Sequence, residues 1–193
     1  MIAYLNGKIT INTPTYVVVE CGNVGYLVNI SLHTYSQIQD KQQHLIHIYY
    51  HVSENAHTLY GFAEELEKNL FVQLISVSGI GPSTARMALS SLAPIEIQKA
   101  ILSGDVKTVQ SIKGIGPKSA QRIILELRDK VAKTASGETL LMPKGNTFKE
   151  EALSALLALG FARAAAEKAI DQAAGTGDST GVEGLIKKAL KLL

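Results

Sequence analysis

The sequence predicts an α+β chain of several domains: a small five-stranded β-barrel, a central all-helical region and a compact helical unit at the end. Three observations carry this. The first sixty residues read as short strands, the apolar period changes to that of helices at Glu64, and Thr134 to Thr147 holds two glycines, a proline and no period.

The strands come in order. Ile2 to Ile11 is the first. Tyr16-Val17-Val18-Val19-Glu20 is β-branched, Cys21-Gly22-Asn23 supplies a turn, and Gly25 to Ile30 runs back. Leu45 to Val52 alternates, and Thr58 to Phe62 follows a polar turn. Five short strands without a long helix favour a barrel of the OB type, with an SH3-like barrel as the alternative.

Beyond Glu64, Leu66, Leu70, Phe71, Leu74 and Ile75 share one helical face, while Glu64-Glu65 and Glu67-Lys68 read as its solvated side. Helical patterning, broken by glycines, continues to about Lys133, and residues 134–147 read as a flexible linker. Asn146 or Thr147 is placed to cap a helix carrying Ala152, Leu153, Leu156, Leu157 and Leu159, ended by Gly160-Phe161. Residues 162–174 and 182–193 complete a small three-helix, UBA-like bundle. The expected divisions are therefore 1–63, 64–133, the linker, and 148–193.

Bulk properties exclude several classes. No run of eighteen apolar residues exists to span a membrane, and the start of the chain lacks a secretory pattern. Cys21 is the single cysteine, so no disulfide forms within the chain, which fits a reducing, cytoplasmic setting. Net charge is only +2. Residues 64–133 carry ten basic and seven acidic groups, the most basic third but still a weak footprint. Phosphate binding must come from placing a few groups well.

The strongest signal is a repeat at an offset of 35 residues: Leu70–Leu92 against Asp105–Leu127 match at seven of 23 positions. Five identities lie in Gly-Ile-Gly-Pro-x-x-Ala, namely Gly79-Ile80-Gly81-Pro82 with Ala85 and Gly114-Ile115-Gly116-Pro117 with Ala120. Each core sits between two apolar helices, which is the helix-hairpin-helix pattern. Glycine permits positive φ and close backbone approach. Proline suits the first helical turn. The helix start then offers unpaired amides and the positive end of its dipole to a phosphate. Such contacts carry no base information, so the motif points to DNA backbone. A dinucleotide loop fits poorly, because Thr84 and Ser119 stand where its third glycine belongs and no strand precedes.

This layout resembles the RuvA family over essentially the whole chain, most specifically at Gly25-Tyr26, Leu59-Tyr60-Gly61-Phe62 and the two hairpins. The resemblance implies a non-catalytic subunit that binds four-way (Holliday) DNA junctions in recombination and repair. Four subunits would form a square platform, and two platforms could stack as an octamer. The terminal bundle would dock on the ATP-driven motor RuvB, and the assembly would cooperate with the resolvase RuvC. Carried over by position, the DNA-contacting candidates are Gly79, Gly81, Ser83, Gly114, Gly116, Lys118, Ser119 and Arg122. Ser83 and Pro117 stand where many members carry lysine, which implies weaker binding or a shallower salt dependence. An acidic pin falls on Ser53-Glu54-Asn55-Ala56, with Glu54 matching and Asn55 where the family usually has a second acid. Leu156, Leu157 and Phe161 are the candidates for the motor contact.

No catalytic residue, metal or cofactor is expected. The chain lacks Gly-x-x-x-x-Gly-Lys-Ser/Thr and Gly-x-Ser-x-Gly. His47 and His51 would share a strand face about 13 Å apart, too far for one ion. His51 and His57 flank the pin and could pair across it. Two rival readings are a helix-hairpin-helix repair enzyme, glycosylase or nuclease, with Asp129 as its one candidate, and a protein-binding adaptor.

Overall fold

The computed structural model describes residues 1–135, 148–174 and 181–193. The chain forms two compact units, Met1–Ser136 and Gly137–Leu193.

The first unit begins with strands β1 (Tyr4–Asn12), β2 (Tyr16–Cys21) and β3 (Val24–Ile30), helix α1 (Leu32–Ile38), then β4 (Gln43–Val52) and β5 (His57–Phe62). The strands close in the order β1-β2-β3-β5-β4, with β1 pairing β4 and β3 parallel to β5. This is the OB-like barrel; the SH3-like alternative falls. The β2–β3 turn uses Gly22 and Asn23 at φ +58° and +64°, a left-handed pair that glycine and asparagine tolerate best. Inward residues alternate along the strands: Val17, Val19, Val28, Ile30, Ile46 and Ile48 are buried. Gly61 is dictated by sterics, since a Cβ there would lie 2.4 Å from Val28 Cγ1 and 2.6 Å from Ile46 Cγ2.

Helix α1 was not anticipated. Its seven residues are mixed in polarity, and its signal is the cap: Ser31 accepts a hydrogen bond from the Thr34 amide.

β5 serves two cores at once. Leu59 and Ala63 belong with the barrel interior, whereas Tyr60 and Phe62 belong with the helices that follow. There Phe71 is a hub, 4.9 Å from the Phe62 ring, 5.2 Å from Tyr60 and 5.4 Å from Tyr49. Aromatic pairs of this kind add about 0.5–1.5 kcal/mol each beyond their buried area.

The helices are α2 (Glu65–Ile75), α3 (Pro82–Ser91), α4 (Pro94–Ser103), α5 (Val106–Gln110) and α6 (Pro117–Ala135). Two expectations need correction. Glu67 is not solvated: the buried face of α2 is Glu67, Leu70, Phe71 and Leu74, and Leu66 is turned outward. Leu70, Phe71 and Leu74 face inward as expected, but Glu67 takes the place of Leu66 and accepts from the hydroxyls of Ser31, the N-cap of α1, and of Thr34 within it. Secondly, α6 runs through Thr134 and Ala135, two residues into the expected linker. The remainder of that linker, with Asn146 and Thr147, lies outside the described residues.

The second unit packs α7 (Phe148–Ala158), α8 (Arg163–Ala174) and α9 (Gly181–Ala189) around Ala152, Leu156, Ala166, Ile170 and Leu185. α7 stops where the sequence said it should. Gly160 has φ +93°, its amide bonds Leu157 O (3.0 Å), and the Phe161 amide bonds Leu156 O (3.1 Å), a Schellman motif.

Candidate nucleic-acid interface

The two repeats fold into the same elbow. In the first, α2 is capped by Ser76 and α3 begins at Pro82; in the second, α5 is capped by Ser111 and α6 begins at Pro117. The hydrogen bonds correspond one for one. Ile80 N bonds Val77 O at 3.0 Å, as Ile115 N bonds Ile112 O at 3.0 Å; Ala85 N bonds Gly81 O at 3.0 Å, as Ala120 N bonds Gly116 O at 2.9 Å. Gly79 and Gly114 both adopt φ +90°. Ile80 and Ile115 are buried as anchors, and Ala85 and Ala120 are wholly buried where helices meet.

What the elbows present to solvent decides what they can do. Gly79, Gly81, Gly114 and Gly116 are all exposed. A Cβ added at Gly79, Gly81 or Gly116 would meet nothing within 4 Å, so these turns are open for another surface to approach. Residues 75–81 line a shallow depression around the first turn. Each following helix starts with proline, and helix geometry leaves the amides of the next two residues without intrahelical acceptors. The elbows are neighbours, because a Cβ on Gly114 would lie 3.7 Å from Thr84 Cγ2.

The candidate side chains divide unevenly. Ser83 and Lys118 are exposed, and Ser119 is half-buried. Arg122 is exposed but already engaged: its Nη1 donates to Ser78 O of the first elbow at 3.1 Å, and its Nε lies 4.0 Å from Glu126. It braces one elbow against the other and still has donors to spare. Lys113, exposed and immediately before Gly114, was missed by the sequence reading. Its signal was available, since it occupies the position of Ser78 in the other copy. Asp105 caps α5 by accepting from the Thr108 hydroxyl (2.6 Å) and amide (3.1 Å), and these bonds hold its carboxyl below the usual range.

The β4–β5 turn carries Glu54 and Asn55 at an exposed tip, closed by Ser53 N to Ala56 O at 2.9 Å. His51 and His57 do not pair with each other. His57 Nδ1 lies 2.6 Å from the Tyr50 hydroxyl, while the His51 ring neighbours Tyr49 and Tyr60. Asp129 is exposed beside Arg128 and Leu125. Among the described residues no group of three His, Cys, Asp or Glu could hold a metal ion, and no helix is long and apolar enough to cross a membrane.

In the second unit Leu156 is wholly buried in the bundle core, so the expectation that it meets a partner fails: its place in the α7 stripe is the inward one. Leu157 is about one-third exposed, and Phe161 lies partly buried at the edge of the core.

Family models match in three places: the RuvA N terminal domain over residues 1–61, the SAM-like helix-hairpin-helix tandem over 71–129, and the RuvA C-terminal domain over 148–193. The chain is 51% identical over 193 residues to the Holliday junction branch migration complex subunit RuvA of Christiangramia forsetii, with all of both chains covered. The chain belongs to the RuvA family. The correspondingly named subunits of Flavobacterium psychrophilum and Cytophaga hutchinsonii are 49% and 48% identical, again covering all of both chains. Within this RuvA-family chain, the first two family matches leave residues 62–70 between them, the stretch that holds Glu67.

Proposed function

We propose that this chain binds four-way DNA junctions, without base preference, as the DNA-holding subunit of a branch-migration complex. The observation that carries this reading is the pair of open elbows with matching backbone hydrogen bonds, in a chain whose full-length relatives bear that subunit's name. Each elbow would take a backbone phosphate on its exposed amides, with Lys113, Lys118 and Arg122 supplying charge around the second. Glu54 at the tip would repel phosphates of a continuous duplex while fitting the open centre of a junction. Asn55 halves the acidic charge that two carboxylates would supply.

The subunit is non-catalytic and cytoplasmic in this reading. It assembles as a tetramer, two of which can stack, presents its terminal bundle to RuvB through Leu157 and Phe161, and cooperates with RuvC. The working parts are the barrel with its pin (1–63), the hairpins (64–133) and the bundle (148–193), tethered between. A gel-shift at matched length tests the core of it. Junctions should bind at least tenfold tighter than linear duplex, and equal affinity for both would overturn the proposal.

A further inference from the structure

Glu67 is the only fully buried acidic side chain among the described residues. No lysine or arginine pairs with it there. Its Oε1 accepts from the Ser31 hydroxyl, and its Oε2 accepts from the Thr34 hydroxyl at 2.6 Å. Both hydroxyl oxygens are in turn occupied: Ser31 Oγ accepts from Thr34 N at 3.0 Å, and Thr34 Oγ1 accepts from Ala63 N at 3.1 Å. Burying a carboxylate with no lysine or arginine paired to it is costly, and a leucine would fill the space without that cost. What the acid adds is direction. With each oxygen and hydroxyl committed, the cluster closes in one arrangement of α1, the end of β5 and the start of α2.

The position of this cluster gives the direction a use. β5 runs from the pin, where His57 follows Ala56, to the cluster at Ala63; α2 runs from the cluster to the first elbow at Ser76. Pin and elbow thus stand at the far ends of about 20 Å of strand and about 16 Å of helix that meet beside Glu67. Further bonds hold the barrel to α3, which leaves the same elbow: Leu32 N to Ser90 Oγ at 3.1 Å, and Arg86 Nη1 to Thr15 O at 3.1 Å and Asn29 Oδ1 at 3.0 Å.

We propose that Glu67 is a positioning residue that fixes the distance and angle between the acidic pin and the first elbow, and thereby sets the preference for junctions over duplex. This rests on the junction-binding reading above. The test has one arm without DNA. Spin labels at Asn55→Cys and Ser83→Cys, in a Cys21→Ser background diluted with unlabelled subunits, report the pin-to-elbow distance distribution. It should be narrow in the parent and broadened in Glu67→Ala and in the milder Thr34→Val, which guards against a folding failure of the first. The second arm uses unlabelled protein. Both variants should keep duplex affinity within twofold and lose about fivefold in the junction-to-duplex ratio. Glu54→Gln should change that ratio in the parent and no longer do so in the Glu67→Ala background. Unchanged distance distributions in both variants overturn the lock. Altered distances with an unchanged ratio overturn its link to specificity. A parent that shows no junction preference sinks the underlying reading instead, and the label distances still decide the lock.

Discussion

The two elbows share a main chain and differ in almost everything around it. Both have glycine at φ +90° and the same ladder of short hydrogen bonds. The first shows neutral Ser78 and Ser83 to solvent, and the arginine of the helix that follows it, Arg86, is turned to the barrel. The second shows Lys113, Lys118 and Arg122. The repeat thus preserves the amide geometry and not the charge. The first elbow is the one placed by the barrel. The second is the one that supplies the field, and Arg122 ties the two together through Ser78 O.

The largest effect should come from breaking what the elbows share. Gly79→Ala and Gly114→Ala each force a side chain into left-handed backbone without any clash, so each should cost about 1–2 kcal/mol in urea unfolding. Near-equal losses support equivalence of the two backbones; a loss at only one would break it. What they do not share should show next. Lys118→Ala should make the slope of log affinity against log salt shallower by about 0.9, and Ser83→Ala should leave it unchanged. Ser83→Lys should steepen it by a similar amount, bringing the first elbow closer to the second.

The smallest effect concerns the barrel side of the comparison. Burial, opposed by the Ser31 and Thr34 hydrogen bonds, holds the Glu67 carboxyl above its ordinary range. A raised acid contributes stability that is full below its unfolded value and is lost as pH rises through the folded one. Glu67→Gln, which cannot ionise, should therefore gain on the parent in unfolding free energy as pH rises across that window. A difference that stays flat with pH would contradict the assignment.

Much of this was legible in the sequence, and the physical reason is locality. Strand alternation, the Cys21-Gly22-Asn23 turn, the twin Gly-Ile-Gly-Pro cores and the Gly160-Phe161 stop are each written within a few residues and fold as read. What was missed depends on partners far along the chain. Glu67 meets Ser31 and Thr34 from 36 and 33 residues away, Arg86 meets Asn29 from 57, and Arg122 meets Ser78 from 44. No periodicity in a window of helix length records such meetings. Local polarity alone made Glu67 look solvated, and the α7 stripe could not separate inward Leu156 from its more exposed neighbour Leu157. α1 was overlooked because it is short and carries threonine, tyrosine and serine, which disguise a helix.

The elbows' amides are the centre of the account, and hydrogen exchange read by mass spectrometry reaches them directly. On adding a four-way junction, segments 78–84 and 113–119 should both gain protection, with β1 and β2 of the barrel unchanged. Protection confined to the barrel or the terminal bundle, with both segments exchanging as fast as in free protein, would contradict it.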